Sequence, residues 1–300
     1  MMSLQLFLLN PLIRWQVKRR FRKNPDVQLL RPIMEQMEPR MAKLPADIAL
    51  EELNLGGVPA ERLSAPGSRD DAAFLYIHGG GFVAGSPRTH RPLTRRLATD
   101  IGVPVYAVDY RLAPEHCFPA GLDDCVAAYR ALLERGIAAR SILAGGDSAG
   151  GNLTLALALR LKAEGLPLPA ALICLSPATD MTGSGASRHS NAEADAMFVP
   201  EMMDSLMPVY CPGVEERDPY VSPLFGDLAG FPPTLFQVGD REMLRDDSVR
   251  MADAIKAAGG EATLEIWPKV WHVWQLNADM LPEAREAITH IVRFARQHLD

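Results

Sequence analysis

From residue 73 onward the chain repeats one pattern: a short apolar run bounded by turn residues, then a stretch of helical length. The runs at 73–77, 103–108, 141–144, 170–175, 234–238 and 262–267 are too short for helices and read as buried strands. Helical patterns at 91–99, 121–134, 151–164, 246–258 and 282–298 separate or follow them. A strand followed by a helical crossover to the next strand is the signature of a parallel sheet with helices on its faces. Ahead of this series, 50–55 and 60–65 flank Gly56-Gly57-Val58-Pro59 and predict an antiparallel hairpin, giving eight strands in an α/β sheet.

Two regions break the rhythm. Residues 1–45 read as helical, interrupted by Pro25, Pro32 and Pro39. Residues 182–218 fall between two strand signals and carry Met197, Met202, Met203 and Met207. An inserted lid is the natural account, because Met-rich surface adapts to varied apolar partners, although Met also fills cores. The expectation is one domain over 1–300 with a helical cap from 1–45 and 182–218. A chain of 300 residues with 48% apolar and 23% charged side chains can bury such a core, and its composition excludes fibrous and disordered classes.

The formal charge of −6 gives no global attraction for phosphate backbones, so a nucleic-acid partner is not expected. One local exception stands out: Arg14, Lys18, Arg19, Arg20, Arg22 and Lys23 share a short stretch with Trp15 and Phe21, just after the apolar residues 4–12. It reads as the solvated face of an amphipathic helix or as a contact for an anionic membrane surface. No stretch reaches the roughly 18 apolar residues of a membrane span, and the charges follow the apolar run at 6–9 where a signal peptide has them in front. Cys117, Cys125, Cys174 and Cys211 lack metal or disulfide-scaffold spacing, which points to reduced thiols and a cytoplasmic protein. No metal or other cofactor is expected.

Gly146-Asp147-Ser148-Ala149-Gly150 follows the strand at 141–144 and precedes a helix, the context of a nucleophile elbow. Small neighbours are needed there because the strand-to-helix turn presses the backbone together while exposing the Ser148 hydroxyl. His78-Gly79-Gly80-Gly81-Phe82 follows the strand at 73–77, and three ordered glycines imply close approach of backbone amides to something. Amides of Gly80 and Gly81, with that of Ala149, form a candidate oxyanion hole. The loop lacks the Lys-Ser/Thr ending of a phosphate loop and the spacing of a dinucleotide fingerprint. His78 is read as bracing this loop.

A serine needs a base held by a carboxylate, in the order serine, acid, histidine. His272 follows the strand at 262–267 in a short loop and is the candidate base, whereas His290 and His298 lie in the terminal helical pattern. Asp240, Glu242, Asp246 and Asp247 all follow the strand at 234–238, where the acid belongs, and physics alone leaves them open. Asp246 and Asp247 also fit the start of the next helix, where carboxylates satisfy free amides.

His78 to Phe82, the segment Tyr110-Arg111-Leu112-Ala113-Pro114-Glu115-His116-Cys117-Phe118-Pro119-Ala120, and Gly146 to Gly151 together resemble the bacterial hormone-sensitive-lipase-like branch of the α/β-hydrolase family. The resemblance spans roughly residues 50–300. It implies an α/β-hydrolase fold, a serine carboxylesterase, and an acid at the opening of a D-P-L-x-D segment. Here that segment reads Glu242-Met243-Leu244-Arg245-Asp246, which puts Glu242 at the acid position, with Asp240 as the alternative. It also implies that 109–119 is a structural turn supporting the glycine loop, with Arg111 and Glu115 buried and paired. Trp267, Trp271 and Trp274 surround His272 as packing or as pocket lining.

The implied activity is hydrolysis of short- to medium-chain carboxylic esters through an acyl-enzyme, with a small-molecule ester as substrate and a homodimer by family analogy. A lactone hydrolase with the same triad is the nearest alternative. A non-catalytic ligand receptor is more distant, since Ser148, His272 and a carboxylate are all retained.

Overall fold

Strand backbones satisfy their amides only on a neighbour, so short buried runs must assemble edge to edge. The computed structural model describes residues 3–299. Its strands are β1 (Ala49–Leu55), β2 (Val58–Ser64), β3 (Ala73–Ile77), β4 (Val105–Val108), β5 (Ile142–Asp147), β6 (Ala171–Leu175), β7 (Thr234–Gly239) and β8 (Ala262–Trp267). They form one sheet in the order β1-β2-β4-β3-β5-β6-β7-β8, antiparallel at β1–β2 and β2–β4 and parallel elsewhere. This is the expected eight-stranded, mostly parallel α/β architecture.

The helices are α1 (Leu4–Ile13), continued by a π-helical turn at Arg14–Lys18 into α2 (Arg19–Lys23), then α3 (Leu30–Met41), α4 (Pro87–Ile101), α5 (Ala120–Glu134), α6 (Ala149–Ala163), α7 (Ser187–Ser190), α8 (Pro200–Asp204), α9 (Leu206–Tyr210), α10 (Arg245–Ala257) and α11 (Pro282–His298). Side chains alternate across a strand, so β3 sends Leu75 and Ile77 to one face with α5, α6 and α10, and Phe74 and Tyr76 to the other with α4 and α11. The central α6 is apolar nearly all round, with Leu153, Leu155, Leu157 and Leu161 fully buried, which makes it a rigid mount for whatever precedes it. No helix among the described residues is long and apolar enough to cross a membrane.

Several expected boundaries shift for local reasons. The hairpin turn is only Gly56-Gly57, and Val58 and Pro59 already belong to β2. The strand expected at 141–144 runs on to Asp147, so the first two residues of the elbow sequence, Gly146 and Asp147, are themselves strand. Helix α4 starts at Pro87 and not at residue 91, because Ser86 and Thr89 form a reciprocal capping box and Pro87 takes the first-turn position where no amide is needed.

Of the three prolines expected to interrupt 1–45, Pro25 alone lies between helices. Pro32 occupies the first turn of α3, where its missing amide leaves no intrahelical bond unmade, and Pro39 falls in the last turn. The 182–218 segment forms three short helices and irregular chain. It meets the N-terminal helices directly: Val27 N donates to Ser205 Oγ at 2.9 Å, and the buried Lys18 Nζ donates to the carbonyls of Ala192, Glu193 and Asp195.

Candidate active site

Ser148 stands at the carboxyl end of β5, with φ 54° and ψ −117°, a conformation that an L-residue holds only under constraint. The constraint is visible: Ser148 N donates to Leu175 O at 2.8 Å, while its carbonyl accepts from Asn152 N and Ala178 N. The flanking glycines leave no alternative to small residues. A Cβ on Gly150 would sit 2.0 Å from Ile77 O, and one on Gly146 2.3 Å from the same oxygen. The turn thus projects the Ser148 side chain at the N-terminus of α6, where the helix field favours negative charge.

His272 follows β8 and is buried, with its ring 4.5 Å from that of Phe198 and tilted 58° to it. Its Nδ1 lies 2.7 Å from Glu242 Oε2. The other Glu242 oxygen accepts from Gly239 N at 2.6 Å and from Ser176 Oγ at 2.8 Å, so the carboxylate is held on three sides. Asp240 points elsewhere: its Oδ1 accepts from Lys269 N at 2.7 Å. Nε2 of His272 has no hydrogen-bond partner among the described residues, nor has Ser148 Oγ. Ser176, itself at φ 46°, links the two halves, since it directly follows Leu175, whose carbonyl holds Ser148.

Asp246 and Asp247 stand in the first turn of α10 as expected, but their carboxylates serve amides of other segments: Asp246 accepts from Ser187 N at the start of α7, and Asp247 from Thr179 N and Asp180 N in the loop after β6. Burial pushes the Asp247 carboxyl up to about 7.

The glycine loop is shaped by close contact. Gly80 has φ 122° and a Cβ there would meet Ala84 O at 2.1 Å. Amides of Gly80, Gly81 and Ala149 donate to no described group. Asp147 anchors the loop from below: its Oδ1 accepts from Gly79 N at 3.1 Å and from Tyr76 Oη at 2.6 Å, and its Oδ2 lies 3.4 Å from His90 Nε2. Burial opposes charge on Asp147, but His90 and Tyr76 outweigh it and hold the carboxyl below its ordinary range; reciprocally, Asp147 outweighs burial and holds His90 above its own. His78 braces the loop, stacked 4.3 Å from Tyr110 with Nδ1 donating to Gly79 O, and burial beside His90 lowers it to about 3.

The turn at 109–119 supports this loop, but not through the expected pair. Arg111 and Glu115 are exposed and do not meet: Arg111 grips Asp124 of α5, and Glu115 pairs with Arg31 of α3. Arg31 also donates to Val83 O and Ala113 O, so the N-terminal segment ties the glycine loop to the turn, a partner 84 residues from Glu115 that local spacing cannot suggest. Trp271 and Trp274 are buried in the α4–α11 face of the core, with Trp267 packed against it, which is packing.

Sequence reasoning missed Ser176, Phe198 and Asp195. Asp195 accepts from Met243 N at 2.8 Å as well as from Met197 N and Phe198 N, and so pins the backbone next to Glu242. Burial raises the Asp195 carboxyl, with Glu242 adding to the effect. Their only signal was membership of, or proximity to, the Met-rich insertion. Surface cavities of about 410 and 380 Å³ lie against α3 and against the N-terminal helix, and neither is lined by Ser148, Glu242 or His272. Among the described residues no group of three or more His, Cys, Asp or Glu side chains could hold a metal ion.

Chemically, this is a constrained serine after β5, an imidazole after β8 fixed by a carboxylate after β7, and unengaged amides after β3 and β5, all beyond the carboxyl ends of parallel strands. A family model described as alpha/beta hydrolase fold matches residues 74–276. An acetyl-hydrolase of Streptomyces hygroscopicus is 37% identical over 91% of this chain and 97% of its own. An esterase of Acinetobacter venetianus is 38% identical over 89% and 88%. The crystal structure of an esterase from the bacterial hormone-sensitive lipase family superposes with a TM-score of 0.93 at 44% identity, covering 99% of each chain. Another, of an esterase crystal soaked with p-nitrophenyl butyrate, gives 0.90 at 37% identity, again over 99% of each.

Proposed function

The chain belongs to the α/β-hydrolase family, in its bacterial hormone-sensitive-lipase-like branch, and is a hydrolase of carboxylic esters; from that premise we propose that Ser148, His272 and Glu242 carry the reaction. The observation that supports this assignment most is the 2.7 Å contact between His272 Nδ1 and Glu242 Oε2, with the opposite ring nitrogen uncommitted. Glu242 holds the proton on Nδ1, so Nε2 is the basic nitrogen. Ser148 Oγ attacks the ester carbonyl as Nε2 takes its proton, and amides of Gly80, Gly81 and Ala149 receive the oxygen that becomes negative. Collapse of the tetrahedral intermediate expels the alcohol, which leaves with the proton from Nε2. Water then repeats the sequence on the acyl-serine, releasing the carboxylic acid and free Ser148.

The proposed substrates are esters of short to medium acyl chains. A relative soaked with the butyrate ester and another named acetyl-hydrolase support that range. Residues 3–45 and 182–218 act as the cap, because Phe198 packs on the base and a Cβ on Gly81 would sit 3.1 Å from Leu30 and 3.2 Å from Val27. A homodimer is part of the proposal, consistent with the unpaired outer edge of β8, and four unpaired thiols fit a cytoplasmic setting. The test is hydrolysis of p-nitrophenyl esters from acetate to palmitate. Ser148→Ala should lower kcat by about 10⁵–10⁶ without loss of folding. A folded wild-type protein that turns over no member, or a serine variant that keeps its rate, overturns the assignment.

A further inference from the structure

The helix running from α1 through the π-helical turn into α2 has two unlike faces. Inward, Leu6, Lys18 and Phe21 are buried, and Lys18 Nζ is bound to three carbonyls of 192–195, so the orientation of the helix about its own axis is set. Outward, Leu4, Phe7, Leu8, Leu12 and Trp15 are all exposed, from 46% for Leu12 to 69% for Leu4. Leu4, Leu8, Leu12 and Trp15 recur at helical spacing and form one stripe. A lone exposed leucine needs no account, but five large apolar side chains within twelve residues do.

Charge says what would cover them. Residues 1–25 contain Arg14, Lys18, Arg19, Arg20, Arg22 and Lys23 and no Asp or Glu, in a protein whose net charge is −6. Arg14 and Arg22 are partly answered by Glu193, while Arg19 lies over the Trp15 ring and Arg20 and Lys23 project outward. A cleft of about 380 Å³ is lined by Pro11, Arg14, Trp15, Lys18, Arg19 and Arg22, a mixture of apolar and cationic side chains. Apolar side chains leading into a cationic rim match a bilayer surface, where acyl chains lie beneath anionic headgroups and an interfacial Trp sits at the boundary. A nucleic acid would use the cations but leave Leu4, Phe7, Leu8 and Leu12 in water.

We propose that this helix docks the protein peripherally on anionic lipid surfaces, with Leu4, Phe7, Leu8, Leu12 and Trp15 inserted and Arg19, Arg20 and Lys23 at the headgroups. The test is cosedimentation of the full chain with phosphatidylcholine vesicles with and without phosphatidylglycerol. Wild type should pellet at least about tenfold more with the anionic lipid, and added salt should weaken it. Leu8→Glu with Trp15→Glu, and separately Arg19→Glu with Arg20→Glu, should each return binding to the level of neutral vesicles. Both double variants should keep the wild-type circular-dichroism spectrum and melting temperature, which shows that they are folded. Wild type that stays in the supernatant with both vesicles, or variants that pellet like wild type, overturns the proposal. So does retention on DNA without vesicle binding, or a self-association in the absence of lipid that Leu8→Glu with Trp15→Glu abolishes while vesicles bind neither form.

Discussion

Glu242–His272 and Asp147–His90 are both buried imidazole–carboxylate pairs near the elbow serine, yet their surroundings give them opposite capacities. His90 is closed on both sides: Nε2 faces Asp147, and Nδ1 lies 3.1 Å from Ser86 O and 2.9 Å from Thr89 Oγ1. Neither ring nitrogen is left open toward a reacting group. His272 has one nitrogen fixed by Glu242 at 2.7 Å and the other open. In the proposed reading the same chemical pair is a brace in one place and an acid–base device in the other, and what separates them is whether the second ring nitrogen is occupied.

The largest effect is expected where the open pair is cut. Glu242→Ala should reduce kcat by about 10⁴, as loss of the orienting carboxylate leaves the imidazole free to adopt the wrong tautomer. A variant that keeps most of its rate breaks the comparison, because the 2.7 Å contact would then be as structural as the one to His90.

Next comes the closed pair. Asp147→Asn keeps an oxygen for Tyr76 and Gly79 but removes the charge opposite His90, and should destabilise the fold by about 3 kcal/mol near pH 6 in urea titrations. The pH dependence sharpens the point. Asp147 lies below its ordinary 3.8, so its contribution is present above that pH and fades as pH falls through the lowered value. His90 lies above its ordinary 6.5, so its contribution is complete below that pH and fades as pH rises through the raised value. The gap between wild type and Asp147→Asn should be widest between these values and should narrow as pH rises through the raised His90 value. A gap that stays level at every pH above 3.8 would mean that charge on His90 does not contribute to it.

Smaller still, Ser176→Ala removes one of three donors to Glu242 and should lower kcat about tenfold, in line with one hydrogen bond to a charged group. Rescue by Ser176→Thr would separate lost hydrogen bonding from lost packing. The smallest effect belongs to Asp240→Ala, expected within about threefold of wild type because its carboxylate serves only the Lys269 amide in the surrounding loops. A large loss there, with Glu242→Ala benign, would exchange the two roles.

Much of this was legible in residue order. The strand runs at 73–77 and 262–267 and the helix at 282–298 stand where apolar periodicity puts them, because each is bounded by its own turn residues. The elbow and the glycine loop were legible for the same reason: their demands on the backbone are local, and few residues other than glycine meet them. What failed was decided by distant partners. Arg111 and Glu115 sit four residues apart and invite pairing, but Asp124 and Arg31 reach them first. Ser176 and Phe198 carry no motif at all, since their importance lies in what the fold brings beside them.

The sequence by itself determined the parallel α/β sheet, the sharp turn at Ser148 and the glycine-lined amides, all set by steric rules within a few residues. Only the tertiary structure decided which carboxylate meets His272. Asp240 and Glu242 lie two residues apart after the same strand, so local propensity cannot rank them. The choice falls to the donors each one finds: Gly239 N and Ser176 Oγ draw the Glu242 carboxylate inward onto the imidazole, and Lys269 N draws that of Asp240 away.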